Sequence, residues 1–437
     1  MKKELTTDKH RLTQMERDDK KLPEGDALSL PKGWEWKKLG EIFEIKSAKR
    51  VHKKDWRNNG VPFYRAREIV KLSQDGFVNN GLFISREMYE NYKAITGVPK
   101  KGDIIVSAVG TLGKCYLVKE KDEFYFKDAS VLWFEKKENG ANSYYIMYAL
   151  NSDYITKQIM RGSRGATVGT LTISRAKSIQ ITLPPLAEQK RIVAILDEAF
   201  AAIDKAKANA EKNVANAKEL FESYLNDIFA NPGEDWEEKK LGDVCVKIQD
   251  GAHASPKKLY SNKGQNRFLY ITSKNIRNNY IDLSNVSYCD KSFHDSIYPR
   301  CNPEVGDLLL TKDGANTGNI TQNTIYEQFS LLSSVCLIKT RRAILIPEFL
   351  KYFIQSPIGF KQITGKMTGA AIKRIILKTI KDATITIPSI SKQEQIVYQL
   401  NTLSSETKKL ESIYQQKIIA LDELKKSILK KAFEGEL

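Results

Sequence analysis

The amino-acid sequence contains one long internal repeat, and this repeat constrains the fold more than any other feature. Matching segments follow one another in the same order in both halves, with an offset that stays at about 202 to 207 residues. Chance does not produce so many ordered matches, so the chain consists of two copies of one unit. The clearest matches are KKLGEI (37–42) with KKLGDV (239–244), GDIIV (102–106) with GDLLL (306–310), and ITLP (181–184) with ITIP (385–388).

Each copy ends in a long segment with helical periodicity. Between Pro185 and Pro232 there is no proline, and apolar or small residues recur at steps of three and four. We expect a helix of about 40 residues, roughly 60 Å long, in each copy. A single helix would leave its apolar stripe in water, so we expect the two helices to form an antiparallel coiled coil, although both could also bind a partner's helix. The predicted seam residues are Ile192, Leu196, Ile203, Leu400, Leu403, Leu410 and Leu421.

The part of each copy that precedes the helix has a mixed α and β pattern. Short β-branched runs at 103–108 and 131–134 alternate with Gly- and Asn-containing turns, and helical patterns occur at 143–160 and 347–363. The predicted fold class is α+β, with two similar mixed α/β domains separated by two long antiparallel helices. The expected boundaries are 1–30 for a polar N-terminal extension, 31–185 and 232–388 for the two globular domains, and 186–231 and 389–437 for the helices.

The charge of the chain indicates a polyanionic partner. Seventy Lys and Arg residues against 53 Asp and Glu residues give a net charge of +17. An excess of this size favours nucleic acid, with a merely basic soluble protein as the alternative. The odd number of cysteines, five, without CxxC spacing predicts structural thiols in a reducing compartment. Because no apolar stretch reaches the roughly 20 residues of a membrane span, we expect a cytoplasmic protein without a membrane partner.

Motifs of catalysis are missing from the sequence. There is no GxxxxGK[ST] loop, no Asn/Asp-Pro-Pro-aromatic segment and no HExxH pair. The four histidines are scattered, and we interpret them as solvated surface residues. Asp103 followed by Glu135 and Lys137 loosely resembles a nuclease metal site, but the second copy has no matching glutamate, so a solvated turn is the preferred interpretation. We therefore predict no catalytic residue and no metal site.

Three segments resemble type I restriction-modification specificity subunits. They are LPKGWEWKKLG (30–40), LPPLAEQKRIV (183–193) and LKKAFEGEL (429–437), and the resemblance covers about residues 30 to 437. The second junction departs from the family pattern, because Ser389 replaces a proline and Lys392 replaces a glutamate. The extension before Leu30 is also outside the family pattern.

The resemblance implies a mechanism in which this chain reads DNA and its partners perform the chemistry. Each globular domain would be a target-recognition domain for one half of a split, asymmetric double-stranded site, and the helices would fix the spacing between the halves. Two methyltransferase subunits would use S-adenosylmethionine, and two motor-nuclease subunits would use ATP and Mg²⁺. This chain would bind none of these cofactors itself.

Basic, Gly-rich or amide-rich loops supply the candidate DNA contacts. Arg pairs with guanine and Asn with adenine, so Arg67, Asn275 and Asn316 are the candidate base readers. For any single basic residue the alternative is a solvated surface charge. The full set of candidates is Lys46, Lys49, Arg50, Arg65, Arg67, Arg161, Arg164 and Thr167 in the first domain, and Lys274, Asn275, Asn316, Lys366, Thr368, Lys373 and Arg374 in the second.

Two other classes of function compete with this interpretation. A self-sufficient methyltransferase or nuclease is disfavoured by the missing motifs. A non-catalytic coiled-coil adaptor would explain the helices but not two related globular domains with a basic charge. A specificity subunit of a type II-like system, whose partner chain combines methylation and cutting, fits this sequence equally well.

Overall fold

The computed structural model describes residues 30–137, 141–161, 169–365, 367 and 374–437. The chain divides into two compact units. Unit 1 contains the residues up to Ala208 together with Lys417–Leu437, and unit 2 contains Asn209–Gln416. Each unit therefore combines one globular domain with parts of both long helices, although the sequence repeat places each domain and its following helix in one copy.

The globular domain of unit 1 contains a four-stranded sheet, a three-stranded sheet, a separate two-stranded pair and several short helices. The strands are β1 (Glu35–Lys38), β2 (Phe43–Lys46), β3 (Val61–Tyr64), β4 (Phe83–Ile84), β5 (Ile104–Ser107), β6 (Cys115–Leu117), β7 (Tyr125–Phe126), β8 (Val131–Lys136) and β9 (Gln180–Leu183). Strands β2, β8, β5 and β6 form the four-stranded antiparallel sheet in that order, and β4, β3 and β7 form the three-stranded sheet. The helices are α1 (Leu39–Ile42), α2 (Ala66–Asp75), α3 (Arg86–Thr96), α4 (Ser143–Leu150), α5 (Asp153–Met160), α6 (Ile173–Ser178) and the long α7 (Leu186–Ala230).

The globular domain of unit 2 repeats this arrangement. The strands are β10 (Glu237–Lys240), β11 (Cys245–Asp250), β12 (Arg267–Ile271), β13 (Ile276–Arg277), β14 (Tyr280–Ile281), β15 (Ser287–Asp290), β16 (Leu308–Thr311), β17 (Ile320–Gln322), β18 (Phe329–Leu331), β19 (Val335–Thr340) and β20 (Thr384–Ile387). The four-stranded sheet has the order β11, β19, β16, β17, and the three-stranded sheet has the order β15, β12, β18. The helices are α8 (Leu241–Val244), α9 (Lys291–Cys301), α10 (Pro347–Gln355), α11 (Pro357–Thr364), α12 (Leu377–Asp382) and the long α13 (Ile390–Glu434).

Corresponding strand pairs close the two domains in the same register. In unit 1, Glu35 pairs with Leu183 and Lys38 with Gln180, so β1 and β9 bring the two ends of the domain together. In unit 2, β10 and β20 pair in the same way, from Glu237 with Ile387 to Lys240 with Thr384. The strands expected at 103–108 and 131–134 are present as β5 and β8. The predicted fold class, with its internal two-fold repeat, is confirmed.

The two helical patterns at 143–160 and 347–363 each form two short helices rather than one. In unit 1 the break lies at Ser152, whose hydroxyl accepts a hydrogen bond from the Ile155 amide and so begins a new helix. In unit 2 the hydroxyl of Ser356 caps α11 in the same way, and Pro357 occupies its first turn. Periodicity alone cannot detect such a break, because the apolar face continues across it.

Helices α7 and α13 are both 45 residues long and pack in an antiparallel manner within each unit. In unit 1, Lys425 contacts Asp204 at 2.9 Å, and Asp422 contacts Lys207 at 2.8 Å. The residue number in α7 therefore rises as that of its contact in α13 falls, as in an antiparallel pair. Ile192, Leu196, Ile203 and Leu400 are buried, as expected of seam residues.

Three other predicted seam residues lie outside the fully buried stripe. Leu403 and Leu421 are partly buried, and Leu410 is 41% exposed, so its assignment to the seam needs correction. Thr407, one turn before Leu410, occupies the interior instead, with only 2% of its surface exposed. A spacing of three or four residues fits both positions, and only the packing of the partner helix distinguishes them.

The end of each long helix packs on a globular domain. In unit 1, Phe433 near the end of α13 lies with its ring 5.1 Å from that of Tyr145. In unit 2, Phe229 near the end of α7 lies 5.3 Å from the ring of Phe349. The repeated Phe at the end of each copy is therefore a core residue of the domain that the sequence places in the other copy.

A buried glutamine joins each domain to the start of its long helix. Gln393 is fully buried; its oxygen accepts a hydrogen bond from the Ile346 amide, and its nitrogen donates to the carbonyls of Ile344 and Pro388. Gln189 in unit 1 accepts from the Asn142 amide and donates to Pro184. The repeated glutamine is thus explained by backbone groups that would otherwise lack partners.

The cysteines and one histidine belong to the domain cores. All five cysteines are buried and none forms a disulfide, and burial raises the pKa of Cys115 to about 11, which keeps this thiol protonated. The interpretation of the histidines as surface residues is wrong for His294, which is 2% exposed and stacks on Phe268 with ring centres 3.8 Å apart. Within the described ranges, no helix is long and apolar enough to cross a bilayer.

Candidate nucleic-acid interface

Among the described residues, each globular domain contains one pair of parallel strands, and the candidate site lies where these strands end. In unit 1, β3 and β7 are parallel, with Tyr64 paired to Phe126. In unit 2, β12 and β18 are parallel, with Ile271 paired to Leu331. The carboxyl ends of two parallel strands meet at one edge, so the segments that follow them come together. Loops at such an edge are held by a rigid sheet and are free to carry functional side chains.

Four loops meet at this edge in unit 1, and we call them the unit 1 loop cluster (47–50, 65–68, 108–113 and 127–130). The Lys127 amide donates to Tyr64 at 2.8 Å, and the Ala108 amide donates to Ser130 at 2.9 Å. Arg50 is paired with Asp128 at 2.8 Å. Four segments that are distant in sequence are thereby held as one basic surface.

A buried carboxylate gathers two arginines in this cluster. Glu68 is 4% exposed, and its oxygens accept hydrogen bonds from the side chains of Arg65 and Arg67 and from the Arg65 amide. Burial by itself raises the pKa of the Glu68 carboxyl, but the hydrogen bonds from Arg65 and Arg67 outweigh it, so the pKa lies below its usual value. The carboxylate is therefore charged and holds both guanidinium groups.

The matching segments of unit 2 form the unit 2 loop cluster (251–256, 272–275, 312–318 and 332–334). The Leu332 amide donates to Ile271 at 3.0 Å, in the same way that Lys127 bonds to Tyr64 in unit 1. The Ser273 amide donates to the Ser334 hydroxyl, and the Asn316 side chain donates to the Ser273 carbonyl. These loops line a cleft of about 680 Å³.

Beneath the unit 2 loop cluster lies a buried charge network centred on Asp250. Its carboxylate contacts Lys312 at 2.9 Å and Arg300 at 2.7 Å, and the exposed His253 lies at 3.1 Å. Burial raises the pKa of the Asp250 carboxyl, but hydrogen bonds from Arg300 and Lys312 lower it more strongly, to about 2. In unit 1 the strand register places the uncharged Ser47 at the matching position, so the two clusters are supported by different chemistry.

The structure brings most of the described candidates to the two loop clusters. Arg50, Arg65 and Arg67 lie in the first, with 67%, 23% and 72% of their side chains exposed. Lys274 and Asn316 line the cleft of the second. Lys49 also lies in the first cluster, with its ammonium group 5.2 Å from the centre of the Tyr92 ring.

Two candidates have other roles in the structure. Asn275 is 3% exposed, and its amide bonds to the backbone of Thr272, Asp282 and Asn285. It therefore holds the turn together, and the expectation that it reads a base needs correction. Lys46 is paired with Glu135 at 2.7 Å and lies over the Trp133 ring, so its charge is partly neutralised within the sheet.

One further described segment in each domain, 169–172 in unit 1 and 374–376 in unit 2, adjoins the cluster. In unit 1 the Leu171 amide donates to Ala108, and in unit 2 the Ile375 amide donates to Lys312. Arg374 is paired with Asp313 at 3.3 Å, and Arg161 is exposed at the end of α5. The remaining candidates, Arg164, Thr167, Lys366, Thr368 and Lys373, lie outside the described residues.

The sequence did not single out Glu68, Asp250 or Lys312. Glu68 occupies the third position of a helix, where a carboxylate often bonds to the cap, and this pattern is a usable signal. Lys312 gives no signal, because a buried lysine cannot be distinguished from a surface one without its partner.

The acidic residues of the nuclease-like pattern, Asp103 and Glu135, bind other groups of the domain. Asp103 accepts from the Trp133 indole at 2.8 Å and from the Lys136 amide at 2.9 Å, while Glu135 is paired with Lys46. In the part of the chain that the structure describes, no group of three or more His, Cys, Asp or Glu residues is placed to hold a metal ion.

Comparisons with known proteins agree with the repeat and the fold. A Haemophilus influenzae candidate type I restriction enzyme specificity subunit is 31% identical over 161 residues, which span 37% of this chain and only 38% of that protein. The EcoBI specificity subunit of the type I restriction enzyme from Escherichia coli is 24% identical over 419 residues, covering 90% of this chain and 83% of that subunit.

A solved structure and a family model complete the comparison. A chain from a structural study of complex assembly and conformational transition of the type I R-M system has the same fold, with a TM-score of 0.74, 19% identity, and coverage of 93% of this chain and 99% of that one. The family model for the type I restriction modification DNA specificity domain matches residues 31–212 and 233–419, one copy for each repeat. The chain therefore belongs to the type I restriction modification DNA specificity family.

Proposed function

We propose that this chain is the DNA-reading subunit of a type I restriction-modification complex. Each loop cluster reads one half of a split, asymmetric site in double-stranded DNA, and the two long helices fix the number of unread base pairs between the halves. The chain itself has no catalytic role in this proposal.

The observation that supports this proposal most directly is the matched position and different chemistry of the two loop clusters. Both lie at the carboxyl edge of a parallel strand pair with the same backbone bonds. The unit 1 cluster carries Arg50, Arg65 and Arg67, whereas the unit 2 cluster carries Lys274, the exposed His253 and several amide or hydroxyl groups. Two loop clusters that share a backbone arrangement but carry different side chains are suited to binding two different half-sites.

The charge of the chain supports the same function. Lysine and arginine residues that neutralise phosphates give an affinity for DNA that depends on salt but not on base sequence. The net charge of +17 favours this electrostatic contribution. Base edges in the major groove then supply specificity through a few side chains. Two modules on one chain bind with higher affinity than either alone, because the second contact is intramolecular.

Family membership supports a proposal about the partners and cofactors. Two methyltransferase subunits would dock on the chain and methylate adenines with S-adenosylmethionine, and two motor-nuclease subunits would use ATP and Mg²⁺. Both long helices have exposed outer faces; that of α13 carries Leu410, Ile413 and Leu424, which are 41%, 48% and 47% exposed. A partner arrangement of the type II-like kind would use the same DNA-reading surfaces.

Long-read mapping of methylated adenines in host DNA tests this proposal. The genome is compared with the gene intact, deleted, and carrying a related specificity subunit's domain in place of 31–185 or 232–388. We expect one split motif to lose its methylation on deletion, and each domain exchange to alter one block only.

A control separates a silent partner from a wrong proposal. The chain is purified with its methyltransferase partner, and its binding to the mapped duplex and to a scrambled duplex of equal length is measured over a range of salt concentrations. If the two duplexes bind equally at every salt concentration, the proposal is wrong.

A further inference from the structure

The start of helix α2 breaks the usual rules for helix termini. The capping position is Arg65, where Ser, Thr, Asp or Asn are preferred, and the second helical residue is Arg67. A helix N-terminus carries a partial positive charge, so two arginines there are unfavourable by themselves. Violations of local rules tend to occur at functional sites, where another interaction compensates for them.

Glu68 supplies that compensation and also fixes the geometry of both arginines. The Arg65 guanidinium contacts both oxygens of the carboxylate, at 3.1 and 2.9 Å. Arg67 uses its Nε to bond to the Oε1 atom of the same carboxylate. Arg65 is largely buried, with 23% of its side chain exposed, and so belongs to the support, whereas Arg67 is 72% exposed.

The bond through Nε leaves the outer edge of the Arg67 guanidinium available. Within the described residues, no hydrogen bond uses its Nη1 or Nη2 atom. These two nitrogens lie in one plane and can donate two parallel hydrogen bonds. An arginine already held by a carboxylate loses less side-chain entropy on binding than a free one.

Two adjacent acceptors in the major groove match this edge. Guanine presents O6 and N7 together, and the bidentate arginine contact to them is the commonest specific contact in protein–DNA complexes. Adenine and thymine each pair an acceptor with a donor or a methyl group, and cytosine presents a donor. The chemistry therefore selects one base.

We propose that Glu68 is a positioning residue that holds Arg67 to read a guanine in the half-site bound by unit 1. This inference rests on the proposed function, since it assumes that unit 1 reads DNA. Beyond that function, it specifies the base that is read, guanine, the group that reads it, the Arg67 guanidinium, and the residue that orients this group, Glu68.

Unit 2 lacks this device at the matching position. Asn275 takes the place of Glu68 and bonds to the backbone of its own turn, and Lys274 takes the place of Arg67. No carboxylate holds the Lys274 ammonium group among the described residues, so Lys274 retains its rotational freedom. We expect base reading through this arginine device in the unit 1 half-site only.

The test combines protein variants with a modified base. The full chain is purified with its methyltransferase partner, and binding is measured on the mapped duplex with each guanine of the unit 1 half-site replaced in turn by 7-deazaguanine, which lacks N7. For the natural chain we expect one position at which the replacement weakens binding by roughly 5- to 100-fold. Arg67→Ala should lose a similar factor on normal DNA and become insensitive to the replacement at that position.

Further variants distinguish positioning from a loss of folding. Arg67→Lys keeps the charge but not the paired donors, so it should retain salt-dependent affinity and lose the sensitivity to 7-deazaguanine. Glu68→Gln should reduce that sensitivity without abolishing it. A merely structural role of Glu68 would instead lower affinity for all duplexes equally.

The matched control is Arg86→Ala, which removes one arginine from an exposed ion pair with Glu123. Arg86 follows β4, beside the amino end of β3 and away from the loop cluster, because Ile84 pairs with Val61. It should keep the full sensitivity to 7-deazaguanine. The inference is overturned if the half-site has no guanine, or if Arg67→Ala keeps the sensitivity of the natural chain. If the natural chain prefers no sequence, the proposed function fails as well.

Discussion

The buried glutamines at the starts of the long helices allow a quantitative test of how each domain is attached. We consider Gln393→Leu, which keeps the approximate volume of the side chain but removes its polar atoms. The change leaves the Ile346 amide and the carbonyls of Ile344 and Pro388 without their partner, and all three bonds are 2.9 Å long. No water can readily replace the lost partner at a fully buried position.

The expected loss follows from the number of bonds. A typical hydrogen bond contributes about 1 kcal/mol net, so three bonds predict a loss of about 3 kcal/mol for Gln393→Leu. The matched change Gln189→Leu removes two bonds, one from the Asn142 amide and one to Pro184, and should cost about 2 kcal/mol. Gln395 lies on the same helix but is exposed to solvent, so Gln395→Leu should change stability by about 0.5 kcal/mol or less.

Urea unfolding of the full chain, combined with hydrogen exchange, measures these losses. Because the chain has two compact units, a single transition cannot be assumed, and exchange of the amides at 344–350 and 142–146 reports on each unit separately. Gln393→Leu should accelerate exchange at 344–350 and leave 142–146 nearly unchanged. The reasoning is refuted if Gln393→Leu and Gln395→Leu have equal effects, or if the loss is below about 1 kcal/mol.

Three further predictions concern the charge network, the helix seam and the DNA surface. Asp250→Asn leaves the buried Lys312 unpaired and should cost about 3 to 5 kcal/mol, with partial recovery in the double variant that also carries Lys312→Met, as measured by urea unfolding. The pKa of Asp250 is held at about 2, below its unfolded value of about 4, so the stabilisation from its charge is present above pH 4 and is lost as the pH falls towards 2. Thermal unfolding measured between pH 5 and 2 should therefore show a smaller decrease of the unfolding temperature with falling pH in Asp250→Asn than in the natural chain. Leu196→Ala at a fully buried seam position should cost about 2 to 5 kcal/mol, whereas Leu410→Ala should cost less than about 1 kcal/mol, and equal losses would contradict the corrected seam. Lys274→Ala should reduce the slope of log affinity against log salt concentration by about 1 if Lys274 contacts a phosphate, and an unchanged slope would exclude that contact.

Much of the architecture could be predicted from the chain alone because repeats and periodicity are local signals. A repeated segment must adopt the same local structure twice, so KKLGEI and KKLGDV both give a strand followed by a short helix. The spacing of apolar residues between two prolines is enough to predict a long helix, because the sequence contains both the apolar stripe and the prolines that limit its length. The basic excess likewise indicates a polyanionic partner, because net charge depends on composition alone.

The site was only partly predictable, because its residues act through partners that are distant in sequence or hidden by the fold. Arg65 and Arg67 could be named as basic loop residues, but their shared carboxylate is defined by the turn that buries Glu68. Asn275 has the composition of a base reader, yet the fold surrounds it with three backbone groups of its own domain.

The sequence by itself determined the two-copy organisation, the long helices and the basic character of the chain, since each depends on the order or number of residues. Tertiary structure alone decided which domain packs on which helix end, which seam positions are buried, and which polar side chains face inward. The pairing of Phe433 with Tyr145 and of Phe229 with Phe349 shows this, because each phenylalanine packs outside the copy that encodes it. These packing arrangements depend on the free energy of burying and desolvating groups that are distant in sequence, and a local sequence pattern does not contain that information.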